Sequence, residues 1–459
     1  MMGLPPQPLS PLDGRYAPVV TALGDHLSEA GLNRARVHVE VEWLLLLTDR
    51  KAFGVAPLKP AEKAALRDWA ADFGEDQIAW LAQTEAITRH DVKAVEYLVR
   101  AKLAELGLDR VAELVHFAAT SEDINNLAYA ITIQDAVREV WLPKLDALIA
   151  KLAKLAKGSA ADAMLARTHG QPATPTTMGK ELAVTVSRLK RQRARVAAIA
   201  PLGKFNGATG TYAAHLAAAP DLDWPALSKK FVTSLGLTWN PLTTQIESHD
   251  WQAELYQAVS LAGRVLHGFC VDVWTYISLG YFRQIPVAGA TGSSTMPHKV
   301  NPIRFENAEA NLELASALLD SLAATLVESR LQRDLTDSTT QRNVGVAFGH
   351  SLLALDNVTR GLGELELDRD RLAEDLDANP EVLAEAIQTV IRAEVAAGRS
   401  KITDPYAELK KLTRGHRVTM DDLAAFIKGL DIGRDAKARL LALTPATYIG
   451  IAEKLGSRP

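Results

Sequence analysis

Two long proline-free stretches carry an apolar residue at alternating steps of four and three. Between Trp251 and Leu279 these are Leu255, Val259, Ala262, Leu266, Phe269, Val273 and Tyr276, a period of about 3.5 residues that only a helix can present as one face. Ala308, Leu312, Ala315, Leu319, Leu322 and Leu326 repeat the pattern. A helix over 251–279 would run roughly 40 Å, longer than a small domain is wide, so the pattern predicts an extended bundle. Alanine at several seam positions permits close helix approach. That fits either packing against copies of the same chain or an intrachain core, and the seams alone do not decide.

Proline is clumped along the rest of the chain, with free tracts at 61–142, 242–285 and 303–379 separated by segments rich in Pro, Gly and Thr. Such spacing suits long helices joined by functional loops. No period-two run of β-branched residues is bounded by turns, so the expected fold class is all-α. Composition changes suggest boundaries near 112 and 370: an N-terminal helical domain (1–111), a central long-helix bundle (112–370) and a C-terminal helical domain (371–459). Asn379-Pro380 should interrupt any helix after the second boundary.

With 51 Lys plus Arg against 55 Asp plus Glu, the net charge is -4, which gives no global field for a phosphate backbone and argues against nucleic-acid binding. The basic run Arg188 to Arg195 lacks interleaved aromatics and reads as a solvated helix face. No apolar run approaches the roughly 20 residues that span a bilayer, so no membrane association is expected. The first twelve residues hold four prolines and no basic residue, so no secretory leader is expected. Cys270 is the single cysteine and cannot form an internal bridge, and together these features point to the cytoplasm. Its place on the long apolar helix predicts an inert, buried thiol. Neither His-Glu-x-x-His nor paired-cysteine spacing occurs, so no metal is implied, and no cofactor is expected. Gly203 to Gly210 lacks the glycine and lysine order of a P-loop and reads as a structural loop.

Four polar segments break the helical pattern: Thr88 to Val92, Thr120 to Asn126, Arg167 to Thr176, and Gly289 to Pro302. In the last, glycines and hydroxyl residues precede Met296-Pro-His-Lys-Val-Asn301, so a loop with free N–H donors lies beside the cation of Lys299 and the amide of Asn301. That arrangement can hold a carboxylate and stabilise negative charge growing on it. Gly170 and Pro172 beside His169 favour an exposed turn over an apolar helix face.

The Gly289–Pro302 segment resembles the signature of the fumarase/aspartase superfamily, whose members eliminate fumarate or an analogous acid from a substituted succinate. Met-Pro-His-Lys resembles the branch that acts on succinylated purine nucleotides, in its longer bacterial form, more than fumarase, aspartase or argininosuccinate lyase. Ser10 to Tyr16, His90-Asp91, Thr120 to Asp123, Arg167 to Gln171, Gln332 to Ser338 and Thr444 to Gly450 agree, in order along the chain.

The resemblance implies an elongated three-domain lyase fold and elimination of fumarate from adenylosuccinate, giving AMP, and from the related succinyl-carboxamide ribonucleotide. It implies Ser293 as base, His169 as acid and Glu306 as the carboxylate orienting that histidine. Arg15, Tyr16, Arg333, Ser338 and Arg342 would hold the nucleotide phosphate. His90 and Asp91, with Arg89 before them, would lie by the base and the leaving nitrogen. Thr120, Ser121, Gln245, Lys299 and Asn301 would grip the succinyl carboxylates, with Ser294 and Asn307 nearby. Any role of Thr339, Thr340 and Gln341 would run through the backbone. A homotetramer with active sites shared between copies is the implied assembly. The rivals are a cycloisomerase acting on carboxymuconate, whose loop also reads Met-Pro-His-Lys, and a non-catalytic helical scaffold of the same superfamily. Arg15-Tyr16 and Gln332 to Asp334 weigh against the first, and intact His169, Ser293 and Lys299 against the second.

The chemistry explains why such residues are needed. Removing a proton beside a carboxylate leaves a carbanion that survives only if its charge spreads into that carboxylate, so cations and N–H donors must face it. The departing nitrogen needs an acid, and a histidine titrating near 6.5 suits that task. A serine hydroxyl is far too weak an acid to serve as base in water. Closure of the 289–302 loop, excluding water and bringing the charge of Lys299 close, is the expected remedy.

Overall fold

The computed structural model describes residues 8–286, 296, 299–413 and 418–459, without the side chains of 411–413. The chain divides into two compact units. The first comprises residues 1–146, 192–267 and 308–356, and the second 147–191, 268–307 and 357–459.

The first unit is built around the Glu29–Asp49 helix, which Ser28 caps by accepting Gly31 N–H at 3.1 Å. Leu32, Val37, Val39, Val41, Trp43, Leu44 and Leu47 are all buried on it. A helix buried on most of its faces belongs inside a bundle. Trp43 packs against Phe205 with ring centroids 4.0 Å apart and the rings tilted by 37°, lies 5.0 Å from Phe231, and its indole N–H donates to Phe117 O at 3.1 Å. His215 is fully buried beside Trp224, 4.8 Å between ring centres.

Both seams form as helices, Asp250–Ser278 and Ile303–Leu326. Within the first unit, a Cβ added to Gly263 would stand 3.4 Å from Leu312 Cδ2, so the small residue sets how closely the two helices approach. Leu255, Val259, Ala262, Leu266, Leu312, Ala315, Leu319 and Leu322 are buried within a single copy of the chain. These seam residues therefore pack into the chain's own core. Other faces of these helices stay open, with Leu261, Val271, Trp274 and Leu314 exposed. Cys270 is buried, as expected.

The second unit contains an antiparallel hairpin, Ala163–Thr168 with Gln171–Thr177, that the sequence showed only as a break in helicity. Pro172 and Pro175 lie within the second strand, Pro172 opposite Arg167, and residues without an N–H are confined to strand edges and irregular positions. The C-terminal helices Ala384–Ala396, Met420–Gly429 and Arg434–Leu441 enclose a core of Leu383, Ile387, Ile391, Leu423, Ile427 and Leu440. The break at Asn379-Pro380 falls where it was expected, after the Arg369–Asp377 helix. Two further two-stranded pairings are only two and three residues long, so helices dominate the described residues. None of the described helices is long and apolar enough to cross a membrane.

Candidate active site

In the first unit Thr120 begins the Ser121–Asp135 helix. Its N–H donates to Asp123 Oδ2 at 2.9 Å, closing the first turn in the manner of a capping box. The same carboxylate receives Gly207 N–H at 3.0 Å and Asn206 N–H at 2.9 Å, and forms an ion pair with the Lys204 ammonium at 2.9 Å. Asp123 and Lys204 are fully buried. The glycine-bearing 203–210 loop is thus pinned to the helix start, a structural role as the sequence implied. Thr120 and Ser121 remain partly exposed at the positive end of a 15-residue helix, where an anion is favoured.

Arg89 takes a left-handed φ of +53° as the Glu75–Thr88 helix ends, and His90 caps the next helix, Asp91–Glu105. His90 Nδ1 accepts Lys93 N–H at 3.2 Å, which leaves the proton of a neutral ring on Nε2. Asp91 accepts Val92 N–H at 2.8 Å, Arg36 Nη2 at 2.8 Å and Arg342 Nη2 at 3.2 Å. Burial acts to raise its pKa, but the charge of Arg36, the Val92 and Arg36 hydrogen bonds and the charge of Arg342 together hold the carboxyl below its usual range.

Arg333 donates from Nη2 to Glu122 Oε1 at 2.9 Å and from Nη1 to Gln245 Oε1 at 3.3 Å, while Gln245 Nε2 donates to Ala208 O at 2.9 Å. Ser338 N–H donates to Asp337 at 2.6 Å. Thr340 returns its hydroxyl to Thr336 O, and Gln341 turns its amide toward the buried His249 ring at 3.4 Å. The Thr340 hydroxyl is thus occupied, Gln341 Oε1 is buried without a hydrogen-bond partner among the described residues, and Thr339 is exposed. Arg15 is exposed, its guanidinium carbon 5.8 Å from the Tyr16 ring at the start of the Ala17–Leu27 helix.

The second unit holds the remaining candidates. His169 and Gly170 form the two-residue turn of the hairpin with φ of +53° and +75°, the backbone that a tight turn between antiparallel strands requires. The imidazole is exposed at the tip, as the neighbouring Gly and Pro led one to expect. The adjoining strand is fastened by Arg167, which donates to Tyr281 Oη at 2.7 Å and pairs with Asp375. Lys299 is exposed, its N–H bonded to Met296 O at 3.1 Å, and Asn301 O accepts Ile303 N–H at 2.9 Å where the Ile303–Leu326 helix begins. Glu306 accepts the Trp274 indole N–H at 3.2 Å, and none of the described contacts joins it to His169. Asn307 accepts Asn357 Nδ2 at 2.9 Å. Ser293 and Ser294 lie outside the described residues.

Sequence reasoning passed over Arg36, Glu122 and Asn125, which tie several candidates together inside the first unit. No local signal marked them: Arg36 sits in the mixed segment Arg34-Ala-Arg-Val-His38, and only its burial shows that its charge must find a partner. Chemically, the described candidates offer exposed cations, a helix N-terminus and an exposed imidazole, a set suited to a polyanionic substrate and a proton transfer.

Comparison with known proteins bears on which substrate this is. Residues 22–315 match a family model described as lyase, and residues 329–449 match one described as adenylosuccinate lyase C-terminal. Adenylosuccinate lyase of Escherichia coli is 49% identical over 446 residues, 97% of this chain and 96% of that protein. That of Haemophilus influenzae is 49% identical over 449 residues, 97% of each. The chain belongs to the adenylosuccinate lyase family. Its fold agrees with more distant solved structures. A fumarate lyase from Mesorhizobium sp. BNC1 has a TM-score of 0.74 at 20% identity, covering 95% of this chain and 96% of that one. A 3-carboxy-cis,cis-muconate lactonizing enzyme from Pseudomonas putida has a TM-score of 0.72 at 22% identity, covering 95% and 96%. Among adenylosuccinate lyase family members the likeness thus runs nearly end to end, whereas the muconate enzyme shares the fold.

Proposed function

We propose that the chain is a carbon–nitrogen lyase that eliminates fumarate from adenylosuccinate, giving AMP, and from the succinyl-aminoimidazole-carboxamide ribonucleotide, giving the carboxamide ribonucleotide, in purine biosynthesis. The observation that carries this reading is the 49% identity to adenylosuccinate lyases over 97% of the chain. In the proposed reaction the Ser293 oxygen takes a proton from the carbon next to a succinyl carboxylate. The electron pair left behind spreads into that carboxylate, faced by Lys299, Asn301, Thr120, Ser121 and Gln245. The carbon–nitrogen bond then breaks as the carbon–carbon double bond forms, and His169 gives its proton to the departing nitrogen. Glu306 is the carboxylate assigned to orient that imidazole. Ser294 and Asn307 line the succinyl end, and Arg89, His90 and Asp91 the base. Arg15, Tyr16, Arg333, Ser338 and Arg342 take the phosphate, with Thr339, Thr340 and Gln341 contributing through the backbone.

The proposed assembly is a homotetramer in which His169, Ser293 and His90 of one site come from different copies, working in the cytoplasm. Support comes from the exposed Leu261, Val271 and Trp274 on one long helix. The division into 1–111, 112–370 and 371–459 belongs to the same proposal. Fumarate release from each nucleotide, followed spectrophotometrically, tests the activity. Turnover of carboxymuconate without turnover of adenylosuccinate would overturn it. Mixing inactive His169→Ala and Ser293→Ala proteins tests the shared sites: activity returns if copies contribute different residues, and stays absent if they do not.

A further inference from the structure

Arg333 and Asp91 lie far apart in sequence, yet a buried row of side chains connects them within the first unit. Glu122 Oε1 accepts from Arg333 Nη2 at 2.9 Å and from Asn125 Nδ2 at 2.8 Å. Asn125 Oδ1 accepts from Arg36 Nε at 2.9 Å, and Arg36 Nη2 reaches Asp91 at 2.8 Å. Arg36 is further held by Asn33 at 2.8 Å, and Asp91 passes the row on to Arg342 at 3.2 Å. Glu122 and Arg36 are each 3% exposed and Asn125 6%. Opposite charges pair at both ends of the row, Glu122 with Arg333 and Asp91 with Arg36 and Arg342, and the Asn125 amide bridges Glu122 to Arg36, so each buried ionised group has an opposite charge and a further hydrogen bond, the condition under which buried charge is tolerated.

We propose that Glu122, Asn125 and Arg36 are positioning residues that hold Arg333, Asp91 and Arg342 as one rigid anion-binding frame. Their role is to set the guanidinium of Arg333 for the phosphate end of the substrate. This rests on the proposed activity. Arg333 directs one N–H of Nη1 to Gln245 and one of Nη2 to Glu122, so each of these nitrogens keeps a second N–H, and the side chain is 20% exposed. A charged fork held in this way can take a phosphate oxygen through the N–H groups that remain. Glu122 fixes the fork from behind, so the plane in which those N–H groups meet a phosphate oxygen is decided before the substrate arrives.

The test is Glu122→Gln in the full chain, which keeps the shape and an accepting oxygen but removes the charge. The expected result is an adenylosuccinate KM raised about tenfold with kcat changed less than about threefold, the pattern of lost uniform binding. Succinyladenosine, which lacks the phosphate, is then measured as an inhibitor, and its inhibition constant should not move. Equal weakening of both ligands would show a general structural role and overturn the inference, as would an unchanged KM. Glu122→Asp keeps the charge one methylene further back and should show the same selective loss, smaller. It carries the test if the glutamine variant does not fold. A wild-type chain inactive on adenylosuccinate would instead refute the activity itself, so the two failures are distinguishable.

Discussion

Asp123 is the group whose loss should cost the first unit most. Its two oxygens take three donors, the N–H groups of Thr120, Asn206 and Gly207, and form an ion pair with the Lys204 ammonium. In Asp123→Asn one oxygen becomes an NH2, which faces either two backbone N–H groups or Asn206 N–H and the ammonium. Lys204 is left as an uncompensated buried charge whichever way the amide turns. Removing one partner of a buried pair costs about 3–5 kcal/mol, and we expect a loss of about 4 kcal/mol, a large share of the roughly 5–15 kcal/mol that holds a domain folded. Lys204→Met should cost less, about 2 kcal/mol, because three backbone N–H groups still serve the carboxylate. The assay is urea unfolding followed by circular dichroism at fixed protein concentration and pH 7. A loss below about 1 kcal/mol for Asp123→Asn, or a larger loss for Lys204→Met than for Asp123→Asn, would refute the view that this anion organises the loop and helix start.

His215 supplies a pH dependence. Burial, with the charge of Lys204 adding and Asp123 opposing, pushes its pKa down to about 4 from 6.5. A depressed base is protonated first in the unfolded chain, so stability is full above about pH 6.5 and falls as pH drops toward 4, by roughly 3 kcal/mol in all. His215→Phe should flatten the slope of unfolding free energy between those pH values, and an unchanged slope would contradict the assignment. His169→Asn, which tolerates the left-handed turn, should lower kcat by about a hundredfold or more while leaving the unfolding midpoint unaltered. Gly170→Val should do the reverse, destabilising the hairpin by roughly 1–2 kcal/mol through its positive φ.

What the sequence made legible followed the range of the forces involved. Periodicity is local, so the seams at 255–276 and 308–326 could be read off as helical faces. Thr120 to Asn126 could be read as a polar break in the helical pattern, whereas the cap that Thr120 and Asp123 form came only with the fold. The exposed turn at His169 was announced by its Gly and Pro neighbours, but the strands flanking it were not, because Gln-Pro-Ala-Thr-Pro-Thr lacks the alternation that marks a strand. The pairings of buried charges were invisible for a different reason. Arg36 meets Asp91 across 55 positions and Glu122 meets Arg333 across 211, and nothing local tells a buried carboxylate which arginine it will find. Resemblance named Arg333 and Asp91 as candidates, whereas only the fold revealed the residues that hold them.

The central claim is that a hydroxyl takes the proton from carbon while the imidazole at the hairpin tip delivers one to nitrogen. The most direct measurement is single-turnover conversion of adenylosuccinate by purified Ser293→Ala, with binding of the substrate to the same protein measured alongside. The account predicts a rate lower by about a thousandfold or more with affinity within a few-fold of the original, the pattern of an interaction made only in the transition state. Conversion at the wild-type rate by the variant would contradict it.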